Sequence, residues 1–174
     1  MPITTLPIDI REVNYSDLPQ LHRLSVATFN DTFNSQSFSN FSDYTQTNYN
    51  YGQLASEMIN PNSFFYFIFF NHKLAGYLKL NIDDAQSQSV AGGLEIDRIY
   101  LREGFKYMGL EEKLINLAFE KAKKFHKDTI WSSVWEHNAP IMYYYKEFGF
   151  KAFGSQEFKL EDTIQKDLIM KVHF

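Results

Sequence analysis

Two carboxylates one residue apart, Glu95 and Asp97, lie inside an alternating run of apolar and polar residues at positions 94–101. Alternate residues of a strand project to one face. The pair can therefore take a proton from a substrate or grip a cation; a solvated or salt-bridged strand acid is the bland alternative. Trp135 and Glu136 offer a ring face and a charge to the same kind of cation. Three consecutive tyrosines follow, Tyr143, Tyr144 and Tyr145. Successive helical residues turn by about 100°, so one phenol can face a site while its neighbours look away. Between these groups, Lys106, Tyr107, Met108, Gly109, Leu110 and Glu111 lead from a strand into a helix. Free N–H groups at a helix N-terminus favour a phosphate, and Gly109 permits a positive φ or a close backbone approach.

Other chemistries fall away. The chain has 174 residues and no cysteine, which excludes disulfides, thiolate metal sites and a cysteine nucleophile. Its five histidines show no metal-ligand spacing, so no metal is expected. A formal net charge of −4 argues against nucleic acid, whose phosphates need clustered Lys and Arg. No apolar run reaches membrane-spanning length, and the first residues lack a basic and an apolar region of the secretory kind. The expectation is a cytoplasmic protein that meets neither membrane nor nucleic acid.

The elements that must position these groups read clearly. Residues 8–13 alternate as a short strand. Ser16 or Asp17 can cap a helix carrying Leu18, Leu21, Leu24 and Phe29 on one face. Residues 30–50 look like loop with a short helix near position 43, and a helix follows over 51–59. Positions 64–70 and 74–82 form a hairpin around Asn71-His72. A polar loop precedes strand 94–101, then come helix 109–125, strand 130–135 and helix 140–148, stopped by Gly149. Two strands near 152–160 and 168–172 finish the chain. No repeat or linker divides it, so residues 1–174 read as one mixed α/β domain around a central sheet. The last strand offers an exposed edge through which a second copy could pair as a homodimer.

The order of elements, with Asn138, Tyr145 and Gly149-Phe150 at their spacing, resembles the GNAT superfamily of acetyl-coenzyme A-dependent N-acetyltransferases. Residues 76–81, 94–101, 130–138, 145–150 and 165–170 look closest to the bacterial spermine/spermidine acetyltransferases of the PaiA type. The resemblance implies a mostly antiparallel sheet of six to seven strands flanked by helices, with one strand pair splayed apart. It implies acetyl-CoA as acetyl donor and a small-molecule primary amine, such as spermidine or spermine, as acceptor. It assigns Ile99, Tyr100 and Leu101 to pairing with the pantetheine arm. Lys106, Tyr107, Met108, Gly109, Leu110 and Glu111 then hold the pyrophosphate, and Asn138 binds the cofactor. Tyr145 becomes the acid that protonates the leaving thiolate after direct attack through a tetrahedral intermediate, also within the cofactor site. Glu95 stands where some members place the base; Asp97, Trp135 and Glu136 would receive the amine.

One position departs from the pattern. Where the family carries a small residue, this chain has Glu111. Two unit charges about 5 Å apart cost roughly 3 kcal/mol at an effective dielectric near 20. Glu111 should therefore turn outward or weaken cofactor affinity, with Lys106, Lys113 and Arg102 available to offset it. That leaves an alternative function, a GNAT-fold binding or regulatory module with weak or no catalysis. An unrelated nucleotide-binding α/β domain is the remote third reading.

Overall fold

A computed structural model of the chain describes residues 5–33, 42–160 and 162–174. It contains β1 (Ile8–Glu12), α1 (Leu18–Phe33), α2 (Ser42–Asn48), α3 (Tyr51–Ile59), β2 (Ser63–Phe70), β3 (Lys73–Ile82), β4 (Gly93–Leu101), α4 (Leu110–Lys124), β5 (Thr129–Trp135), α5 (Ala139–Glu147), β6 (Lys151–Leu160) and β7 (Thr163–His173). The strands form one sheet in the order β1-β2-β3-β4-β5-β7-β6. All neighbours pair antiparallel except β4 and β5.

Alternation along the central strands explains why both faces are covered. Tyr66, Ile68, Leu78 and Leu80 point to the side packed by α4 and α5, with Leu110, Leu114, Ile115, Ala118 and Tyr145. Phe65, Phe67 and Tyr77 point to the opposite side, with Leu21, Leu24 and Phe29 of α1 and Leu54 of α3. A sheet apolar on both faces needs a helical layer on each.

The expected helix start is corrected. Ser16 and Asp17 belong to a short 3-10 turn whose cap is Asn14, and the Asp17 carboxylate reaches back to the Asn14 amide at 2.8 Å. The loop expected from position 30 begins later, because α1 runs on to Phe33. Residues 34–41 of that expected loop lie outside the described residues, and α2 supplies the short helix near position 43. Strand β7 is twice the expected length because it pairs along all of β5 and β6.

Two local features open the site. Strands β4 and β5 pair only at Gly93–Thr129, Leu94–Ile130 and Glu95–Trp131, and then diverge. A bulge in the β3–β4 register leaves Asp97 without an opposite residue, between the pairs Leu80–Ile96 and Lys79–Arg98. The extra residue puts Asp97 and Arg98 on one face and returns Ile99 and Leu101 to the α4 side. Gly76 keeps β3 close to this strand: a Cβ there would stand 2.2 Å from the Tyr100 carbonyl oxygen. Gly76→Ala should cost about 1–3 kcal/mol, as overpacking against backbone does. Chemical denaturation checks this, and an unchanged midpoint would show that β4 yields freely.

Candidate active site

The divergence of β4 and β5 makes a cleft of about 320 Å³. Phe29 and Phe33 of α1 and Tyr44 and Tyr49 line one wall. Glu95, Asp97, Arg98, Ile99 and Tyr100 of β4 face Ser132, Ser133, Val134 and Trp135 of β5, with Asn138, Ile141 and Tyr145 beside them and Gln156, Phe158 and Asp167 at the far side. A narrower groove continues over Ile99, Tyr100 and Leu101 to Lys106 and Glu111, bordered by Asn138, Pro140 and Ile141.

Past Glu95, the edge of β4 that faces β5 has no strand partner among the described residues. Its first carbonyl, Ile96, accepts the Ser132 hydroxyl at 2.8 Å, and that oxygen in turn accepts the Tyr145 hydroxyl at 3.0 Å. Tyr145 is fully buried and its ring stacks on Phe150 at 4.5 Å. Burial pushes its phenol well above the ordinary tyrosine value, with the Ser132 hydrogen bond opposing. The site therefore holds this proton firmly near neutral pH. Tyr143 is exposed and Tyr144 half-buried, so the helix singles out Tyr145 of the three.

The two strand acids have different surroundings. The Asp97 carboxylate is bound by Lys79 at 2.7 Å and by the Asn81 amide at 3.1 Å. Burial would raise it, but the Arg98 and Lys79 charges outweigh burial and hold it below the ordinary aspartate value. Its charge is already balanced, which corrects the expectation that it grips a cationic acceptor. Glu95 has hydrogen-bond donors and no cation partner among the described residues. Asn81 reaches it at 3.0 Å, the Ser87 amide at 2.8 Å, and the Ser87 hydroxyl binds its second oxygen. Burial, and then the Asp97 charge, raise its pKa. A carboxylate raised toward neutrality is better matched to proton abstraction than an ordinary one.

Asp167, at the far wall, was not among the expected site residues. Its Oδ2 accepts the Ser133 hydroxyl at 2.8 Å, while Oδ1 is buried without a hydrogen-bond partner among the described residues. Burial raises its pKa. The stretch 165–170 carried part of the family resemblance, but nothing local marked Asp167; only the full length of β7 against β5 brings it to the cleft. Trp135 lines the cleft, its indole N–H bound to Gln165 at 2.8 Å and its ring 4.8 Å from that of Phe33. Glu136 does not join it. The Glu136 amide still bonds to Lys166, so its side chain alternates outward, meets His137 at 3.4 Å and borders a shallow hollow elsewhere.

The loop before α4 has the expected shape. Tyr107 and Gly109 both take left-handed backbone angles, φ 64° and 82°. The Tyr107 and Met108 side chains are exposed and Leu110 is sunk in the core, so these three can offer a ligand mainly backbone. Glu111 did not turn outward: it is 4% exposed. Of the expected offsetting cations, Lys106 still acts on Glu111 although its Nζ is also held by Glu103 at 2.8 Å; Arg102 is bound to Asp31 at 2.8 Å, and Lys113 faces solvent. Asn138 stands at the N-cap of α5, but its side chain makes no capping hydrogen bond, which leaves the amide to the cleft and groove it borders.

No group of three or more His, Asp or Glu among the described residues could hold a metal, and no described helix is long and apolar enough to cross a membrane. Residues 18–150 match the model of the acetyltransferase (GNAT) family. The chain is 39% identical over 166 residues to an uncharacterized N-acetyltransferase in the pepI 3′ region of Lactobacillus delbrueckii subsp. lactis, covering 94% of this chain and 96% of that one. Its fold is similar to that of the PaiA N-acetyltransferase of Thermoplasma acidophilum, solved with coenzyme A (TM-score 0.78, 22% identity, 97% of this chain and 99% of that one). It is also similar to the ribosomal-protein-S18-alanine N-acetyltransferase of Escherichia coli (TM-score 0.70, 16% identity, 96% and 94%).

Proposed function

The chain belongs to the GNAT acetyltransferase family, and from that premise we propose that it moves the acetyl group of acetyl-CoA onto a primary amine that arrives as a cation, a polyamine such as spermidine or spermine being the best fit. One observation carries this reading. The cleft at the β4–β5 divergence holds two carboxylates without a cation partner among the described residues, the buried Glu95 and the half-buried Asp167, beside the buried hydroxyl of Tyr145. Carboxylates withdrawn from water without a cation are costly, and an ammonium group relieves them. The PaiA relative bound coenzyme A in its crystal, which supports the same ligand here.

In this reading the unpaired edge at Ile99, Tyr100 and Leu101 receives the pantetheine arm as an added strand would. The loop from Lys106 to Glu111 meets the diphosphate, and Asn138 holds the arm from the α5 side. The donor supplies a thioester-activated acetyl group. Glu95 takes the proton that the ammonium must lose before it attacks. Tyr145 gives its proton to the departing sulfur and regains one from solvent, while the Ser132 hydroxyl, anchored on the Ile96 carbonyl, holds the phenol in position. Trp135 and Asp167 hold the acceptor. Residues 1–174 work as one domain in the cytoplasm. The expected pairing edge is corrected: the last strand, β7, is enclosed between β5 and β6, so the edge open to a second copy is that of β6.

An amine panel with acetyl-CoA, followed by thiol release, tests the proposal. Di- and polyamines should give the highest kcat/KM, and neutral or acidic acceptors the lowest; equal rates across the panel would sink the cationic reading. Asp167→Asn should raise KM for a polyamine about tenfold, the worth of one hydrogen-bonded charge, with coenzyme A affinity unchanged. An unaltered KM would remove Asp167 from acceptor binding. A second reading, a binding module with weak or no turnover, is favoured by the inward carboxylate of Glu111. It predicts coenzyme A binding without thiol release from any amine.

A further inference from the structure

The N-terminus of α4 already holds an anion, and it is the chain's own. Glu111 belongs to a helix of 15 residues and lies in its first turn. Its side chain does not leave for solvent, as a first-turn acid usually can. It is only 4% exposed, lines the groove with Ile99, Leu101, Lys106 and Asn138, and leaves Oε2 buried with no hydrogen-bond partner among the described residues. The amides of Tyr107 and of Glu111 itself turn toward the carboxyl. The loop therefore forms a cradle with the Glu111 carboxyl turned into it.

A diphosphate brings only acceptor oxygens to such a cradle, as an ionised carboxylate does. Neither can satisfy Oε2. A neutral carboxyl can, because it then carries one O–H donor, and an O–H bond to a charged phosphate oxygen is of the strong, charge-assisted kind. We propose that Glu111 binds coenzyme A as a neutral carboxyl group, taking one proton from solvent as the diphosphate enters and donating it in a hydrogen bond to a phosphate oxygen. This rests on the reading that the groove receives the diphosphate. No other bond is made or broken: the proton leaves the buffer and ends on a Glu111 oxygen.

The surrounding charges favour this direction. Lys106 is the nearest cation from the loop, and its Nζ is held by Glu103 at 2.8 Å. Glu112, next on the helix, is a second negative charge and is exposed. From α5 the phenol of Tyr144 feels the same charges: burial, and then Glu111 and Glu112, raise it. Tyr107 contributes an exposed phenol. The groove-lining residues from α1, β4 and α5, namely Thr32, Ile99, Tyr100, Leu101, Asn138, Pro140 and Ile141, carry no charge near neutral pH. Burial already raises the Glu111 carboxyl in the free protein, against the pull of the two amides and Lys106. A further anion pushes it the same way.

Calorimetric titration of coenzyme A into the full chain, repeated in buffers of different ionisation enthalpy, counts the protons taken up per ligand. Wild type should take up nearly one proton more than Glu111→Gln, whose value reports the ligand's own phosphates. Since the complex binds more protons than the free species, wild-type affinity should fall with rising pH by up to about tenfold per unit, and the Gln variant should lose that slope. Binding with equal proton uptake in the two proteins would overturn the proposal, showing that Glu111 simply swings aside as a carboxylate. Absence of coenzyme A binding in both proteins would instead overturn the reading of the groove. If the Gln variant does not fold, Glu111→Ala serves as the reference in its place, and equal proton uptake in it and wild type again contradicts the proposal.

Discussion

Tyr145→Phe should lower kcat by about 10²–10³ and leave coenzyme A affinity unchanged, the signature of a group used only as the sulfur departs. The substitution is a clean one. Phenylalanine keeps the ring stacked on Phe150 and removes only the oxygen. Ser132 loses one donor but still gives its own hydrogen to Ile96, so the strand edge keeps its partner. The fold should be nearly unaffected. A phenol raised by burial is protonated throughout the working range, so its loss should appear at every pH rather than on one limb of a profile. Tyr144→Phe, on the neighbouring phenol about 100° round the helix, is the control and should retain its rate. Steady-state kinetics with a calorimetric affinity check both variants. An unchanged kcat in Tyr145→Phe would take this residue out of the chemistry and leave it a packing role.

Glu57→Ala should destabilise the protein by about 3–5 kcal/mol, the cost of stranding buried charge. Glu57 sits on α3, between two cations from different strands. Its Oε1 is 2.8 Å from Lys79 Nζ and 2.8 Å from Arg98 Nη1, and Gln53 supports Oε2. Asp97 binds the same lysine, and Arg98 also lies 4.8 Å from the centre of the Tyr49 ring. Two positive and two negative groups thus close a neutral set beneath the cleft. The side chains of Lys79, Glu57 and Arg98 are only 7%, 11% and 12% exposed, so water cannot replace a missing partner. Domains are typically stable by 5–15 kcal/mol, so the loss should be obvious in denaturant unfolding. Glu57→Gln combined with Lys79→Met removes one charge of each sign and should cost less than the two single changes summed. Strict additivity would show that the set is not coupled. The acid limb follows from the same charges. Burial would raise the Glu57 and Asp97 carboxyls, but Arg98 and Lys79 hold both below their ordinary values. A carboxyl depressed on folding stabilises above its unfolded value, near pH 4. That stability is lost as pH falls through the folded value, and the two substitutions should flatten this limb.

The network also shows where reading residues in order reaches its end. Glu57 and Arg98 are 41 positions apart, and nothing in either neighbourhood announces the other. Strict alternation would send Arg98 away from Asp97; the bulge opposite Lys79 reverses it, and bulges depend on pairing between strands. Elements whose cause is local were legible. The hairpin of β2 and β3 turns where Asn71 and His72 adopt positive φ, and α3 begins at the Asn50 cap. Gly109 takes the left-handed conformation its position before α4 suggested. Along the site, the family resemblance drew attention to Asn138 and Tyr145, and these do meet the β4 edge in one cleft. The direction of an acid was not legible. Glu111 turned in, Glu136 turned out, Asp97 was neutralised by a lysine on the next strand, and Asp167 arrived from the far end of the chain.

That inward turn of Glu111 makes the cradle before α4 the point on which the whole account rests. Titration of coenzyme A into the wild-type protein by calorimetry tests it most directly. One molecule should bind per chain with a sub-millimolar dissociation constant, with Glu111 still in the groove. No heat of binding at millimolar coenzyme A would contradict it.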